Sequence, residues 1–360
     1  MSDDHVNPPT GNPETPVVER RRTWTPSAAA VGLLLRAPGT GAIVATGVTF
    51  VVFAFWAQSF VTYLATTSYM TIAAQFGIMA VGVALLMTAG EFDLSVGSVF
   101  ALTETVVALA AHHGVPAGLA VVLGLGAAAL VGAINGFVVT RTDIPSFIVT
   151  LASLNICRGL VLIITKGFPL EINQDRWIFR FLNIEWHGMN VAVAWFAGLV
   201  MIGSFVLLRT RYGQWIYATG GNVVAARKSG IPTARVKMSL FIVTSLCAGL
   251  AGLLEMANFG SVDPLAGQNY ELTVIAGVVI GGTSLRGGIG SVIGAGFGVI
   301  TFGMIQVGLQ LASVSVYYFQ ALVGVVLLGA MVLQLYTSKM ALVLRSREIS
   351  ALEPRSGTSP

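Results

Sequence analysis

Charge and cysteine are both scarce in this sequence. Only 10% of its 360 residues are charged, whereas a typical soluble domain carries about 25%. The chain therefore lacks the polar surface of a water-soluble globule, and we expect lipid to be its main solvent. The two cysteines, Cys157 and Cys247, lie inside apolar runs and offer neither a disulfide framework nor a metal-ligand cluster. They are predicted to be small buried side chains.

The motif with which many ATPases bind phosphate is also missing. A P-loop needs Gly-Lys-Ser/Thr at the start of a helix, and this chain has no such sequence, even in the glycine-rich stretch 281–290. We therefore expect that the chain hydrolyses no ATP and binds no cofactor. A membrane enzyme is disfavoured as well, because none of His5, His112, His113 and His187 has an acidic or cysteine partner at ligand spacing.

Long apolar runs dominate the rest of the chain, which has 55% hydrophobic residues and a mean hydropathy of +0.80. A membrane-spanning helix needs about 20 mostly apolar residues. The sequence predicts an all-α membrane bundle of ten helices, of which the third and the eighth are short enough to be broken or re-entrant. The candidate spans are residues 41–60, 71–89, 95–111, 117–140, 145–165, 189–208, 236–258, 271–283, 290–312 and 316–336.

Positively charged residues fall mainly on one side of these spans. With a cytoplasmic N-terminus, 16 of the 20 Lys and Arg residues lie in cytoplasmic segments and three lie in outer loops. An excess of Lys and Arg marks the cytoplasmic side, so both termini are predicted to be cytoplasmic. Residues 1–36, which hold five of the 13 prolines, are predicted to be a disordered tail, residues 37–338 a membrane domain and residues 339–360 a second cytoplasmic tail.

The cytoplasmic loop at residues 209–237 has unusually clear helix boundaries. Asn222 is a residue type that caps helix starts, Gly230 suits the left-handed position that ends a helix, and Thr233 is predicted to cap the next helix. The sequence predicts a short surface helix with small alanines on one side and Arg227 and Lys228 on the other. Such a helix fits either a groove on a soluble partner or the lipid headgroups.

Four segments together resemble the ribose- and xylose-type permeases of ATP-binding cassette (ABC) transporters. The loop at residues 210–231 resembles the coupling loop of that family, and DLSVGS at 93–98 resembles its signature after the second span. The motifs at 135–160 and 270–292 resemble the central and late signatures of the family. Glu91 departs from the pattern, because glycine is commoner there in the family.

The resemblance implies a transport role and a set of partners. Such permeases lie in the bacterial inner membrane and form homo- or heterodimers. They dock cytoplasmic ATPase subunits that use ATP, and they accept a small sugar from an extracytoplasmic solute-binding protein. No nucleic-acid partner is expected. The residues expected to couple this chain to the ATPase are Gly221, Asn222, Ala225, Ala226, Arg227, Ser229 and Gly230.

Polar residues inside the predicted spans are candidates for the solute pathway. Charged groups in the membrane are costly and are often functional, although each of these residues could equally be structural. Their spacing allows a Glu104–Arg158 ion pair inside the bundle. A different reading is an ion-coupled secondary transporter in which Glu104 carries the ion. The candidate pathway residues are Asp93, Glu104, Asn135, Asn155, Arg158 and Gln306.

Overall fold

The computed structural model describes residues 39–174, 176–315, 317–329 and 332. The predicted tails, residues 1–36 and 339–360, lie outside the described residues. The described chain is an α-helical membrane bundle with four two-residue strands at one end. Its helices are α1 (Thr40–Trp56), α2 (Tyr63–Thr88), α3 (Val96–His112), α4 (Ala117–Arg141), α5 (Ser146–Thr165), α6 (Trp177–Leu182), α7 (Ala192–Arg209), α8 (Arg211–Gly221), α9 (Val223–Lys228), α10 (Thr233–Phe259), α11 (Tyr270–Ile280), α12 (Val292–Leu311) and α13 (Tyr317–Gly329).

Each predicted span overlaps a helix of the described chain, and part of the tenth span, residues 316–336, lies outside the described residues. Among the described residues, six helices are long and apolar enough to cross a membrane, namely α2, α4, α5, α7, α10 and α12. The apolar helices α1, α3, α11 and α13 are shorter, with 11 residues in α11 and 17 in α3. The prediction of an all-α membrane bundle is confirmed, and the third and eighth candidate spans are indeed among its short helices.

The middle of the bundle consists of α2, α10 and α12, whose apolar stretches are mostly buried. Helix α10 packs against α2, α3 and α4, while α12 packs against α1, α2 and α11. Glycines permit these close approaches: a Cβ on Gly132 of α4 would lie 2.6 Å from the carbonyl oxygen of Phe241 in α10. Helix α5 is the least covered of the six long helices, with 17% of its apolar stretch buried.

The two ends of the bundle differ. We call the end that carries α8 and α9 the loop side. The opposite end, here the hairpin side, carries α6 and the paired strands β2 (Glu185–Trp186) and β3 (Met189–Asn190). There too, β1 (Leu170–Glu171) pairs antiparallel with β4 (Ser261–Val262), which directly follows α10.

Candidate functional site

The short helix α9 begins and ends with strong local signals. The Asn222 side-chain oxygen accepts hydrogen bonds from the amides of Val224 at 3.1 Å and Ala225 at 3.0 Å. At the other end, Gly230 has a φ of +82°, and the amide of Ile231 donates to the carbonyl oxygen of Ala226 at 3.1 Å. These bonds satisfy the terminal backbone groups of the helix, so both predicted boundaries of α9 are confirmed.

Two details of this loop differ from the prediction. Thr233 is the first residue of α10 and makes no side-chain cap, because the chain enters α10 directly from Pro232. Ala226 is buried, whereas Ala225 and Val224 are exposed. Adjacent residues of a helix point about 100° apart, so Ala225 faces outward while Ala226 packs against the protein.

The loop side is closed by backbone-to-backbone packing around Gly220, the residue before the predicted coupling residue Gly221. A Cβ on Gly220 would lie 1.9 Å from the Thr88 carbonyl oxygen and 2.6 Å from the Gly288 amide. The Gly288 amide donates to that same Thr88 oxygen at 2.9 Å. The glycine-rich stretch 281–290 is therefore a packing surface that joins the end of α2 to the end of α8.

Tyrosines and an ion pair strengthen the same junction. The Tyr217 hydroxyl donates to the carbonyl oxygen of Gly290 at 2.9 Å, and the Tyr212 hydroxyl contacts the hydroxyl of Ser239 in α10. Burial raises the pKa of both tyrosines, which keeps their hydroxyls protonated and able to donate. Lys237 of α10 forms an ion pair with Glu91, a contact that the sequence did not reveal.

Between α2 and α3 the chain enters the bundle as an irregular segment, residues 89–95, which we call the first lead-in. Asp93 is fully buried and accepts hydrogen bonds from the amide and hydroxyl of Ser95. The Asn135 amide of α4 donates to the Ser95 hydroxyl oxygen at 3.1 Å. Because Asn135 lies six residues before the end of α4, α3 begins about 9 Å inside the bundle from the loop side.

A second lead-in enters from the opposite direction. After β4 on the hairpin side, residues 263–269 descend to the start of α3, where a Cβ on Gly97 would lie 2.1 Å from the Gly267 carbonyl oxygen. Helix α11 begins there and continues to the loop side with 11 residues, a length of about 16 Å, or half of the apolar core. We call the contact of residues 93–98 with residues 263–271 the crossing.

Arg158 holds this second lead-in to α5. Its Nη1 donates to the carbonyl oxygens of Pro264 at 3.1 Å and Ala266 at 2.8 Å. The predicted ion pair with Glu104 is not formed: Glu104 is buried, and its Oε1 has no hydrogen-bond partner among the described residues. Arg158 is instead drawn to two carbonyls that the sequence placed more than 100 residues away.

The remaining predicted pathway residues occupy different environments. Asn135 is fully buried and accepts a hydrogen bond from Ser153, so it connects α4 to α5. Gln306 is half-buried on α12, and its Oε1 has no partner in the described part of the chain. Asn155 is exposed on α5. Asp93 and Asn135 thus bind Ser95 on one side of the crossing, and Arg158 binds Pro264 and Ala266 on the other. Asn155 lies on an open face of α5.

Comparisons with known proteins identify the family of the chain. Residues 65–331 match a family model described as a branched-chain amino acid transport system / permease component. The ribose import permease protein RbsC of Escherichia coli K12 is 38% identical over 259 residues, which cover 70% of this chain and 80% of the relative.

Two further relatives point to the same family. The RbsC protein of Bacillus subtilis is 36% identical over 262 residues, covering 71% of this chain and 80% of the relative. The L-arabinose transport system permease protein AraH of Escherichia coli K12 is 30% identical over 299 residues, covering 83% and 91%. No solved structure matches the chain.

Proposed function

This chain belongs to the permease family of ABC importers, and from that premise we propose that it forms the pathway by which a monosaccharide or similar polyol enters a bacterial cell. As a member of this family it is a multi-pass membrane protein and a permease subunit, not an enzyme. The sugar class is supported by relatives whose names specify ribose and arabinose, although the matching family model is described by branched-chain amino acids.

The proposed orientation places the loop side in the cytoplasm. Ten helices then enter or cross the membrane, and both termini are cytoplasmic. The loop side carries the basic residues Arg209, Arg211, Arg227, Lys228 and Arg235, as expected for a cytoplasmic surface. The hairpin side, with α6, β2 and β3, then faces the solute-binding protein.

Three partners complete the proposed importer. A second permease copy, identical or related, pairs with this chain on the side of the open face of α5, so that Asn155 and the half-buried Arg158 border a polar space between the two copies and not lipid. Cytoplasmic ATPase subunits bind α9 and supply ATP hydrolysis, while this chain binds no cofactor. An extracytoplasmic solute-binding protein delivers the sugar.

The packing of the loop side supports a route for coupling. Helix α9 comes shortly after Gly220 and Gly221. These two glycines contact Gly288 in the glycine-rich stretch that follows α11, and Gly220 also lies beside Gly90 at the start of the first lead-in. Movement of α9 by an ATPase would therefore be transmitted to both lead-ins. Because each lead-in reaches the crossing, a displacement at the cytoplasmic surface would alter the middle of the membrane.

The single observation that carries the proposal is the doubly capped, exposed helix α9 on a chain of this family. We expect solute uptake in proteoliposomes only when the chain is reconstituted with its ATPase and solute-binding protein and ATP is supplied on the ATPase side. Accumulation by the chain alone under a proton or sodium gradient would contradict the proposal and would support an ion-coupled secondary transporter using Glu104.

The role of α9 is tested at its exposed surface. We expect Ala225→Glu to abolish most ATP-driven uptake while leaving membrane insertion unchanged, because Ala225 is exposed and contributes nothing to the core. Ala225→Ser is the matched control and should transport normally. Normal uptake by Ala225→Glu would show that α9 is not the docking element. The buried Ala226 is unsuitable for this test, because a glutamate there would destabilise the loop itself.

A further inference from the structure

Three amide side chains lie exposed on one face near the crossing, at a depth where lipid would not solvate them. Asn155 of α5 is nine residues from the start of that helix, about 14 Å into an apolar core of about 30 Å. Gln268 and Asn269 are exposed at the tip of the second lead-in, two and three residues beyond Ala266, which Arg158 binds. Exposed amides at mid-membrane depth require a polar neighbour outside the described chain.

The tip is held in a fixed geometry. Two carbonyls bind Arg158, and Gly267 is pressed against Gly97. The Asp263 carboxylate accepts a hydrogen bond from the Leu265 amide at 2.9 Å, and Asn269 has a left-handed backbone with φ of +65°. The backbone that presents Gln268 and Asn269 is therefore pre-organised, which lowers the entropic cost of binding.

Asn155 belongs to the same region because it lies one helical turn before Arg158. Residues three apart on a helix share a face. The Asn155 amide nitrogen donates to the Leu151 carbonyl oxygen at 2.9 Å, so the side chain is held in one orientation on α5. Asn155 on α5 and the two amides on the lead-in are thus brought together by the contact of Arg158 with Ala266.

We propose that Asn155, Gln268 and Asn269 form the solute-contacting site at the middle of the pathway, where they bind the hydroxyl groups of the passing solute. This inference rests on the proposed function. Carboxamides both donate and accept hydrogen bonds and carry no charge, so they suit neutral hydroxyls. The buried Glu104 and Asp93 contribute to the fold beneath this site and do not contact the solute.

Water access to the site is tested with single cysteines in the complete importer in proteoliposomes. We expect Gln268→Cys to react with a charged, membrane-impermeant methanethiosulfonate at least ten times faster than the control Val122→Cys, which is exposed on α4 and faces lipid. The native Cys157 and Cys247 are buried and should stay silent. Equal, slow labelling of both variants would overturn the proposal.

Solute recognition is tested separately, with radiolabelled D-ribose and L-arabinose at concentrations below the apparent KM of uptake. Gln268→Leu removes one amide, and Asn269→Gly removes the other while it permits the left-handed backbone. We expect each variant to slow uptake about tenfold, the effect of one lost hydrogen bond, with ATPase stimulation by the solute-loaded receptor retained. Normal uptake by both variants would overturn the site.

The failure of the proposed function would look different. In that case neither the wild-type protein nor the variants at position 268 would accumulate either sugar with ATP. The labelling comparison would still decide whether the tip of the second lead-in faces water. Parallel loss of uptake and of receptor-stimulated ATPase activity in the Gln268→Leu and Asn269→Gly variants would contradict solute contact and assign both residues a structural role.

Discussion

The helices α9 and α11 are both short, but they are held in opposite ways. Helix α9 is delimited by its own sequence, with Asn222 capping one end and Gly230 turning the other. Helix α11 begins at Tyr270, and the preceding Asn269 makes no side-chain cap. The start of α11 is fixed by the contact of Gly97 with Gly267 and by the Tyr270 ring, which lies 5.0 Å from that of Phe76 and 5.5 Å from that of Phe100. Local signals therefore define the surface helix, and distant contacts define the buried one.

The largest expected effect comes from the crossing. Gly97→Ala would place a methyl group 2.1 Å from the Gly267 carbonyl oxygen, and neither backbone can withdraw without breaking the contact. We expect a loss of about 3 kcal/mol or more in stability, visible as a lower melting temperature in detergent and poor expression. The control Gly126→Ala on α4 meets no atom within 4 Å and should behave as wild type. Equal melting temperatures for the two variants would refute the tight crossing.

A smaller effect is expected for Arg158→Gln, which weakens the link between α5 and the second lead-in. Hydrogen bonds to charged groups contribute about 1.5–3 kcal/mol, so we expect destabilisation of about 2 kcal/mol. Arg158 and Glu104 make no direct ion pair, but their charges interact through space, so the effects of Arg158→Gln and Glu104→Gln on melting should depart from additivity by no more than about 1 kcal/mol. A larger departure, with the double variant milder than the sum, would support the ion pair that the sequence suggested.

The local cap of α9 is expected to contribute less than either crossing contact. Asn222→Ala removes the acceptor for two amides and should cost about 1 kcal/mol, confined to the loop. Hydrogen exchange should show faster exchange at residues 223–228 and unchanged protection in α10. Asn222→Asp keeps the cap and is the matched control. Loss of protection throughout the bundle would mean that α9 is not a locally determined element.

The smallest effect is expected when both partners of the Glu91–Lys237 ion pair on the loop side are replaced. The two side chains are only 11% and 19% exposed; replacing both partners of a buried pair can be nearly neutral, whereas removing one leaves the other charge buried and unpaired. Glu91→Gln and Lys237→Gln should therefore each lower the melting temperature more than the double variant does. Additive effects at low salt would show that the two charges do not interact.

The sequence predicted the bundle better than it predicted the crossing. Long apolar runs report helices directly, because each spanning helix must satisfy its own backbone hydrogen bonds in lipid. The lead-ins escape this rule, since some of their backbone groups are satisfied by partners far away in the chain, as at Phe92 with Ser146 and at Ala266 with Arg158. No local pattern identifies such partners, which is why Gln268 and Asn269 were missed and the Glu104–Arg158 pair was wrongly expected.

Sequence alone determined that this protein is a membrane bundle with a capped surface helix, because hydropathy, turn glycines and helix caps act over a few residues. The tertiary structure decided that two half-length elements meet at Gly97 and Gly267, that Arg158 binds backbone carbonyls, and that Ala226 faces inward. Those outcomes depend on which helices become neighbours, and in lipid that choice is made by close packing and hydrogen bonding across the whole bundle.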